Sequence, residues 1–351
     1  MAARLALTLA AVALAAQPQG STKPKSPNRL FADDQPIHIV LKGPISAIAR
    51  TPVPLRTARP AVLTLVAPAA EQHAIQLSPR GLTRRDKAVC NFPPLRVEFT
   101  AKPAKTSFFE GQHRLKLTTY CRSAPGYQQF IALEYAAYRL YNVMTPQSLR
   151  ARLANVDYAE QDGRVGISRL GFFVEDSDDA AKRNGLVEAR MPPRILTSQL
   201  DAMSAARSAM FEYMIGNLDW SMRAGPQGDV CCHNFRLFAA AANAQTGLIA
   251  VPYDFNFSGL VNLPEAMPPE GIPINSVRQR YYHDYCVHNA EALRAAAEFR
   301  AKRSELLAVL SSIPQIDESH RRSATAYLEG FFADIATDAD VTSRVLKNCI
   351  K

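Results

Sequence analysis

Apolar and polar residues alternate along the first half of the chain in short runs broken by Pro and Gly, and the period then lengthens. Ile37 to Leu41, Ala61 to Val66, His73 to Leu77 and Leu95 to Phe99 carry the two-residue alternation or β-branched composition of strands. His113 to Thr119 continues the series. Within HRLKLTT the side chain of Lys116 faces away from Leu115 and Leu117, because successive strand residues point to opposite sides. From Phe130 to Tyr141 the apolar positions Ile131, Tyr135 and Tyr138 recur at helical spacing, with Glu134 on a neighbouring stripe. Leu149 to Tyr158 and Ser168 to Glu175 return to strand, and helix-prone DDAAKRNG follows. Leu200 to Ile215 is helical through Met203, Met210 and Met214, and it delivers the chain to Asn217 and Asp219. Two short strands, Phe235 to Phe238 and Gly247 to Tyr253, flank a turn-forming stretch and form a hairpin. A Pro-rich loop runs to about Asn275; Ser276 to Cys286, Ala290 to Leu310 and Glu318 to Ile335 then read as helical. The expectation is an α+β fold in one unit over residues 37–351, β-rich over about 37–175 and helical over about 176–351, with no internal repeat.

The start of the chain adds a compartment to this picture. MAARLALTLAAVALAA has an early Arg4, an apolar run and small residues before Gln17, the layout of a cleaved export signal, and residues 1–19 are assigned to it. The run is short for a bilayer and no later segment is longer, so no stable membrane span is expected. Residues 20–36 are polar and proline-bearing and read as a disordered lead-in. A secreted or periplasmic location lets six cysteines pair. Cys90 with Cys121 reads as a local staple between neighbouring strands, leaving Cys231, Cys232, Cys286 and Cys349 to pair among themselves, although adjacent cysteines rarely bond each other. A zinc site at Cys231, Cys232 and His233 with Cys286 or His288 lacks the usual ligand spacings.

Net charge sharpens the choice of partner. The chain has 351 residues, 47% hydrophobic and 21% charged, with formal charge +9. That balance suits anionic partners such as phosphate groups, acidic proteins or cell-surface polymers. The basic residues are scattered and none of their runs interleaves aromatics, so no nucleic-acid partner is expected.

Candidate chemistry concentrates between Gly216 and Gly259. Antiparallel pairing of the hairpin brings Asn234, entering its first strand, and Asp254, leaving its second, to one end of the ladder. Their oxygens suit one magnesium ion, which takes one or two carboxylates and completes its shell with substrate phosphate. Asp219 is left to orient or deprotonate an acceptor. Asp and Asn also populate turns for purely local reasons, so these three residues equally suit loop capping. Upstream, Arg80-Gly81-Leu82-Thr83-Arg84-Arg85 is a basic glycine turn whose amides and arginines suit phosphate; an exposed hairpin is the alternative.

An acid, an Asn and an Asp-Phe in that order are the parts of a protein kinase, but fifteen positions separate Asp219 from Asn234 and no H-R-D triplet is present. The series resembles instead the CotH-like atypical kinases, a spore-coat protein family. RGLTRR before PLRVEF resembles that family's glycine turn and following strand, HRLKL and the Glu134 helix its next two elements, and SRLGFFVED its linker strand. NLDWS, HNFRLF and VPYDFNFSG resemble its acid, its Asn-led strand and its P-W-D-x-D-like motif, the whole spanning about residues 75–260. Two positions depart from the pattern: Asn256 stands for the second acid of D-x-D, and Pro94 for a Lys.

The resemblance implies a bilobal atypical protein-kinase-like fold that uses ATP and Mg to phosphorylate a protein or cell-surface acceptor. It makes Asp219 the catalytic acid and Asn234 and Asp254 the metal ligands. Lys116, Glu134, Glu175 and Arg80 would bind the nucleotide, Glu175 beside the base. The alternative it leaves is an inactive pseudokinase acting as an extracytoplasmic binding module.

Overall fold

Alternation along the first strands resolves into two faces. The computed structural model describes residues 25–226 and 228–351. In β1 (Ile37–Lys42) the side chains of Ile37, Ile39 and Leu41 are fully buried while those between them face outward. Alternation continues along β2 (Arg59–Ala67), β3 (Glu71–Pro79), β4 (Leu95–Phe99) and β5 (Arg114–Thr118), joined in antiparallel sequence, and gives way to consecutive buried residues at the ends of β3 and β5. A short helix, α1 (Ile45–Ala49), follows β1, and α2 (Gln128–Met144) follows β5. Then β6 (Ala151–Ala159) and β7 (Val165–Val174) form a long antiparallel pair. β7 joins β5, and β6 lies parallel to β1, so the sheet closes on itself in the order β1-β2-β3-β4-β5-β7-β6. Closure leaves no sheet edge to pair with another chain. Leu63, Leu65, Leu77, Val97, Leu117 and Phe173 fill the interior, as expected of a barrel this narrow.

This closed seven-stranded mixed barrel overturns the expectation of a bilobal kinase-like fold. Strand alternation is the same in an open sheet and a closed one. The difference lies in the parallel contact of Ile37 to Lys42 with Ala154 to Ala159, over a separation that no local pattern reports.

The export-signal assignment lies outside the described residues. The described part of the lead-in is ordered, contrary to expectation: Arg29–Phe31 form a single 3₁₀ turn whose Leu30 and Phe31 are buried against the barrel interior. The side chain of Arg152, itself buried, holds this segment through Asp33 Oδ1 at 2.7 Å and the carbonyl of Asp33 at 2.6 Å. Two large apolar side chains amid polar neighbours suffice to dock it.

Beyond the barrel, α3 (Ser177–Arg183) leads to β8 (Val187–Glu188), and α4 (Ala202–Ile215) is buried on nearly every side except at Arg207, which pairs with Glu298 at 2.7 Å. A helix apolar all round belongs in a core. Around it pack the hairpin β9 (Phe235–Ala239) and β10 (Ile249–Pro252), with β8 completing a three-stranded sheet. Helices α5 (Asn289–Ala301), α6 (Arg303–Ser311) and α7 (Glu318–Asp334) close the other side. Ser276 to Cys286, expected to be helical, runs irregularly. There Arg280 donates to the carbonyl of Met214 at 3.2 Å and Tyr282 is buried, tertiary contacts that hold the segment open.

Three disulfides are present: Cys90 with Cys121, as the sequence suggested, Cys286 with Cys349, and Cys231 with its neighbour Cys232. The last runs against the expectation that adjacent cysteines rarely bond. Tyr285 bridges to Ile350 in parallel, which sets Cys286 beside Cys349 and leaves Cys231 and Cys232 only each other. Among the described residues no helix is long and apolar enough to cross a membrane.

Candidate functional site

The mouth of the barrel faces the β9–β10 hairpin across a cavity of about 410 Å³. Side chains from both sides converge on it. The register of the hairpin pairs Phe235 with Pro252, so Asn234 and Asp254 emerge together at one end, and the amide of Tyr253 donates to the carbonyl of Asn234 at 3.0 Å. Both residues adopt left-handed backbone, with φ of 52° and 66°. Asn and Asp tolerate that region better than other non-glycine residues, but at a cost of about 1 kcal/mol or more each.

Asp219 reaches the cavity because α4 stops sharply. Gly216 caps the helix with φ of 66°, and a Cβ there would lie 2.0 Å from the hydroxyl of Tyr327. Both the conformation and the close approach demand glycine. The chain then turns, with the Asp219 amide donating to Asn217 Oδ1 at 3.2 Å and Trp220 Nε1 to the Asn217 carbonyl at 3.0 Å. Asp219 Oδ1 lies 2.7 Å from His233 Nε2, and Asn234 Nδ2 donates to Asp219 Oδ2 at 3.2 Å and to its carbonyl at 2.6 Å. The hydrogen bond to Asp219 raises the pKa of His233 above its ordinary value, against partial burial.

Asn234 Oδ1 and Asp254 Oδ2 make no hydrogen bond among the described residues. Asp254 Oδ1 accepts from the amide of Asn256 at 2.7 Å, and Asn256 Oδ1 accepts from Arg84 Nε at 3.0 Å. Asn256, the apparent defect in a D-x-D motif, is thus the link between a carboxylate and a guanidinium. One free carboxylate oxygen and one free amide oxygen fit magnesium, which asks little of the protein when phosphate supplies the remaining ligands. No group of three His, Cys, Asp or Glu side chains suited to a metal occurs among the described residues.

Cations from both sides meet over Tyr253, Arg236 coming from β9, where it also pairs with Glu188 at 3.4 Å. Lys116 on β5 has its ammonium 5.0 Å from the ring centroid of Tyr253, and the Arg236 guanidinium lies 4.9 Å from the same centroid. Burial of the ammonium, then the charges of Arg80 and Arg236, push the Lys116 pKa down to about 7. Lys116 makes no ion pair or hydrogen bond among the described residues. Arg80, at the glycine turn after β3, lines the same cavity.

Two carboxylates sit differently from their expected places. Glu134 on α2 pairs with Arg84 at 2.5 Å, both side chains being buried, and so does not serve Lys116. Burial and nearby Asp254 hold the Glu134 carboxyl above its ordinary range despite Arg84. Glu175 does not line the cavity. It is buried in a bidentate pair with Arg183, at 2.9 and 3.1 Å, and accepts the Arg150 amide at 3.0 Å, which corrects its assignment to a nucleotide base. Strand parity explains the difference, since Val174, its neighbour, faces the cavity instead.

Arg236 and Tyr253 were not singled out in sequence, and Arg84, His233 and Asn256 were read there only as part of a glycine turn, as a poor zinc ligand and as a departure from a motif. Arg236 alternates with buried Phe235 and Leu237 along β9, a polar-face position that could have marked it. Nothing local foretold the contacts of His233 with Asp219 and of Asn256 with Asp254 and Arg84. No protein-family model matches the chain, and no curated protein matches it either.

Proposed function

We propose that this cavity binds the phosphate chain of ATP with magnesium and transfers the terminal phosphoryl group to a hydroxyl on a protein or cell-surface acceptor, outside the cytoplasm. The observation that carries the reading is Lys116, an ammonium without a counter-ion set between Arg80 and Arg236. Holding three cations together costs free energy that a bound polyanion returns. Arg80, Lys116 and Arg236 would grip the phosphates, while Asp254 and Asn234 would hold the magnesium, whose charge offsets that developing on the phosphoryl oxygens. Asp219, two-fifths exposed at the rim, would align the acceptor hydroxyl and take its proton. From the CotH-like resemblance this reading keeps the roles of these residues and none of the two-lobed architecture. Export is supported by three disulfides.

A second reading, nucleotide binding without turnover, draws on a different observation. Both oxygens of Asp219 already accept hydrogen bonds, one from His233, which weakens the carboxylate as a base. Titration calorimetry of the purified chain with ATP, in magnesium and then in excess chelator, tests the common ground of both readings. Saturable, magnesium-dependent heat is expected; equal silence in the two buffers refutes both. Transfer of labelled phosphate, lost in Asp219→Asn while ATP affinity stays within about twofold, then selects turnover.

A further inference from the structure

A second cavity, of about 300 Å³, opens on the far side of Asp219 and shares Thr83, Asp219 and Phe257 with the first. Its remaining wall comes from Leu218 and from the irregular segment after Gly259, through Met267, Pro269, Ile274 and Val277. The two chambers differ in charge. Four arginines, Lys116 and His233 line the first, whereas no basic side chain lines the second. The other acid of the second chamber, Glu265, is already matched: Arg122 Nε donates to it at 2.7 Å and the Tyr127 hydroxyl donates to the same oxygen. What remains is a mostly apolar chamber with the part-exposed Asp219 carboxylate, held by His233 and Asn234, at its junction with the cationic cavity.

We propose that this chamber is the acceptor subsite, and that it takes an uncharged hydroxyl compound with an apolar, ring-sized body, a phenol or a tyrosyl side chain. The inference rests on the phosphotransfer reading above. A polyphosphate partitions into the cationic chamber, and the negative Asp219 disfavours an anionic acceptor in the other. Polyols are disfavoured because Leu218, Ile274 and Val277 offer their extra hydroxyls no partners. With a phenol seated here, its oxygen forms a bond to the terminal phosphorus and its proton passes to Asp219. The bond from that phosphorus to the bridging oxygen breaks, and its electron pair leaves with the nucleoside diphosphate.

Calorimetry on the full chain loaded with magnesium and a non-hydrolysable ATP analogue tests this with four probes: N-acetyltyrosinamide, 4-methylphenol, glycerol and phosphotyrosine. Saturable binding of the first two and none of the others is expected, 4-methylphenol alone indicating a free small phenol over a tyrosyl side chain. Ile274→Glu, and Met267→Glu on the exposed lip where folding is not at risk, should each weaken that binding about tenfold and leave the analogue's affinity within about twofold. If the analogue binds but neither phenol does, or glycerol or phosphotyrosine binds as well, or the folded variants bind phenols like the parent, the subsite assignment fails and the nucleotide reading stands. If the analogue itself does not bind, the nucleotide reading fails first and takes this inference with it.

Discussion

The barrel interior and the cavity between its mouth and the β9–β10 hairpin are built under opposite rules. Inside, the apolar side chains of β1 to β7 are packed together, and the buried guanidinium of Arg152 has Asp33 and two carbonyls to hold it. At the mouth, Lys116 stands without a counter-ion, Asn234 and Asp254 sit in left-handed backbone, and two oxygens wait without donors. Polar groups kept together at a cost to the fold mark the place where a protein does something other than fold. The contrast predicts that damage in the two regions separates: interior changes lower stability without altering binding, and mouth changes alter binding with little loss, or even gain, of stability.

The largest effect belongs to the interior. Leu63→Ala empties space in a filled barrel and should cost about 2–5 kcal/mol, read as a lower denaturation midpoint. MgATP affinity of the protein that remains folded should be unchanged; a parallel loss of affinity would erase the distinction between the regions.

Next, Asp254→Asn keeps the shape and the contact with Asn256 but removes the charge that would hold magnesium. Affinity for MgATP should fall roughly a hundredfold, with the melting temperature within about 2 °C of the parent. Loss of stability with unaltered affinity would instead make Asp254 a turn residue, and the kinase-like assignment of the hairpin would have to be abandoned.

Lys116→Met sharpens the comparison by moving two quantities in opposite directions. A lysine whose pKa falls to about 7 on folding takes up fewer protons than the unfolded chain between about pH 7 and 10.5. Its ionisation therefore opposes folding, and the stability of the parent rises with pH through that window. Replacing it should raise the melting temperature near pH 7 by about 2 °C and flatten that rise, while weakening MgATP about tenfold. Nucleotide affinity of the parent should itself fall as pH climbs above about 7, where the unliganded amine becomes neutral. Thermal melts and calorimetry from pH 6 to 9 read both quantities.

The smallest effect is at His233. Its pKa is raised by Asp219, so its contribution to stability is present in full below the unfolded value of 6.5 and is lost as pH rises through the higher folded value. Both partners are more than a third exposed, so His233→Gln should change stability by less than about 1 kcal/mol, and only on the acid side. If turnover is observed, the same variant should reduce its pH dependence; an unchanged profile would separate His233 from the proton transfer.

Much of the architecture was legible in the chain because it follows from local rules. Two-residue alternation marked the barrel strands, the methionine spacing of Leu200 to Ile215 marked α4, and turn-forming residues between two short strands marked the hairpin that joins Asn234 to Asp254. The pairing of Cys90 with Cys121 followed from their places just before β4 and just after β5, which pair antiparallel. The kinase-like architecture did not follow, since motif order constrains which residues meet and says little about how a sheet closes.

By itself, then, the sequence determined most element types, the alternation of faces along the strands, and the meeting of Asn234 with Asp254, because backbone period and antiparallel register act over a few residues. Tertiary structure alone decided the rest: the parallel contact of β1 with β6 that closes the barrel, the docking of Leu30 and Phe31, the choice of Arg84 over Lys116 as partner of Glu134, and the withdrawal of Glu175 to Arg183. Each of these joins groups that packing brings together, and a buried charge takes whichever opposite charge and donors that packing leaves within reach.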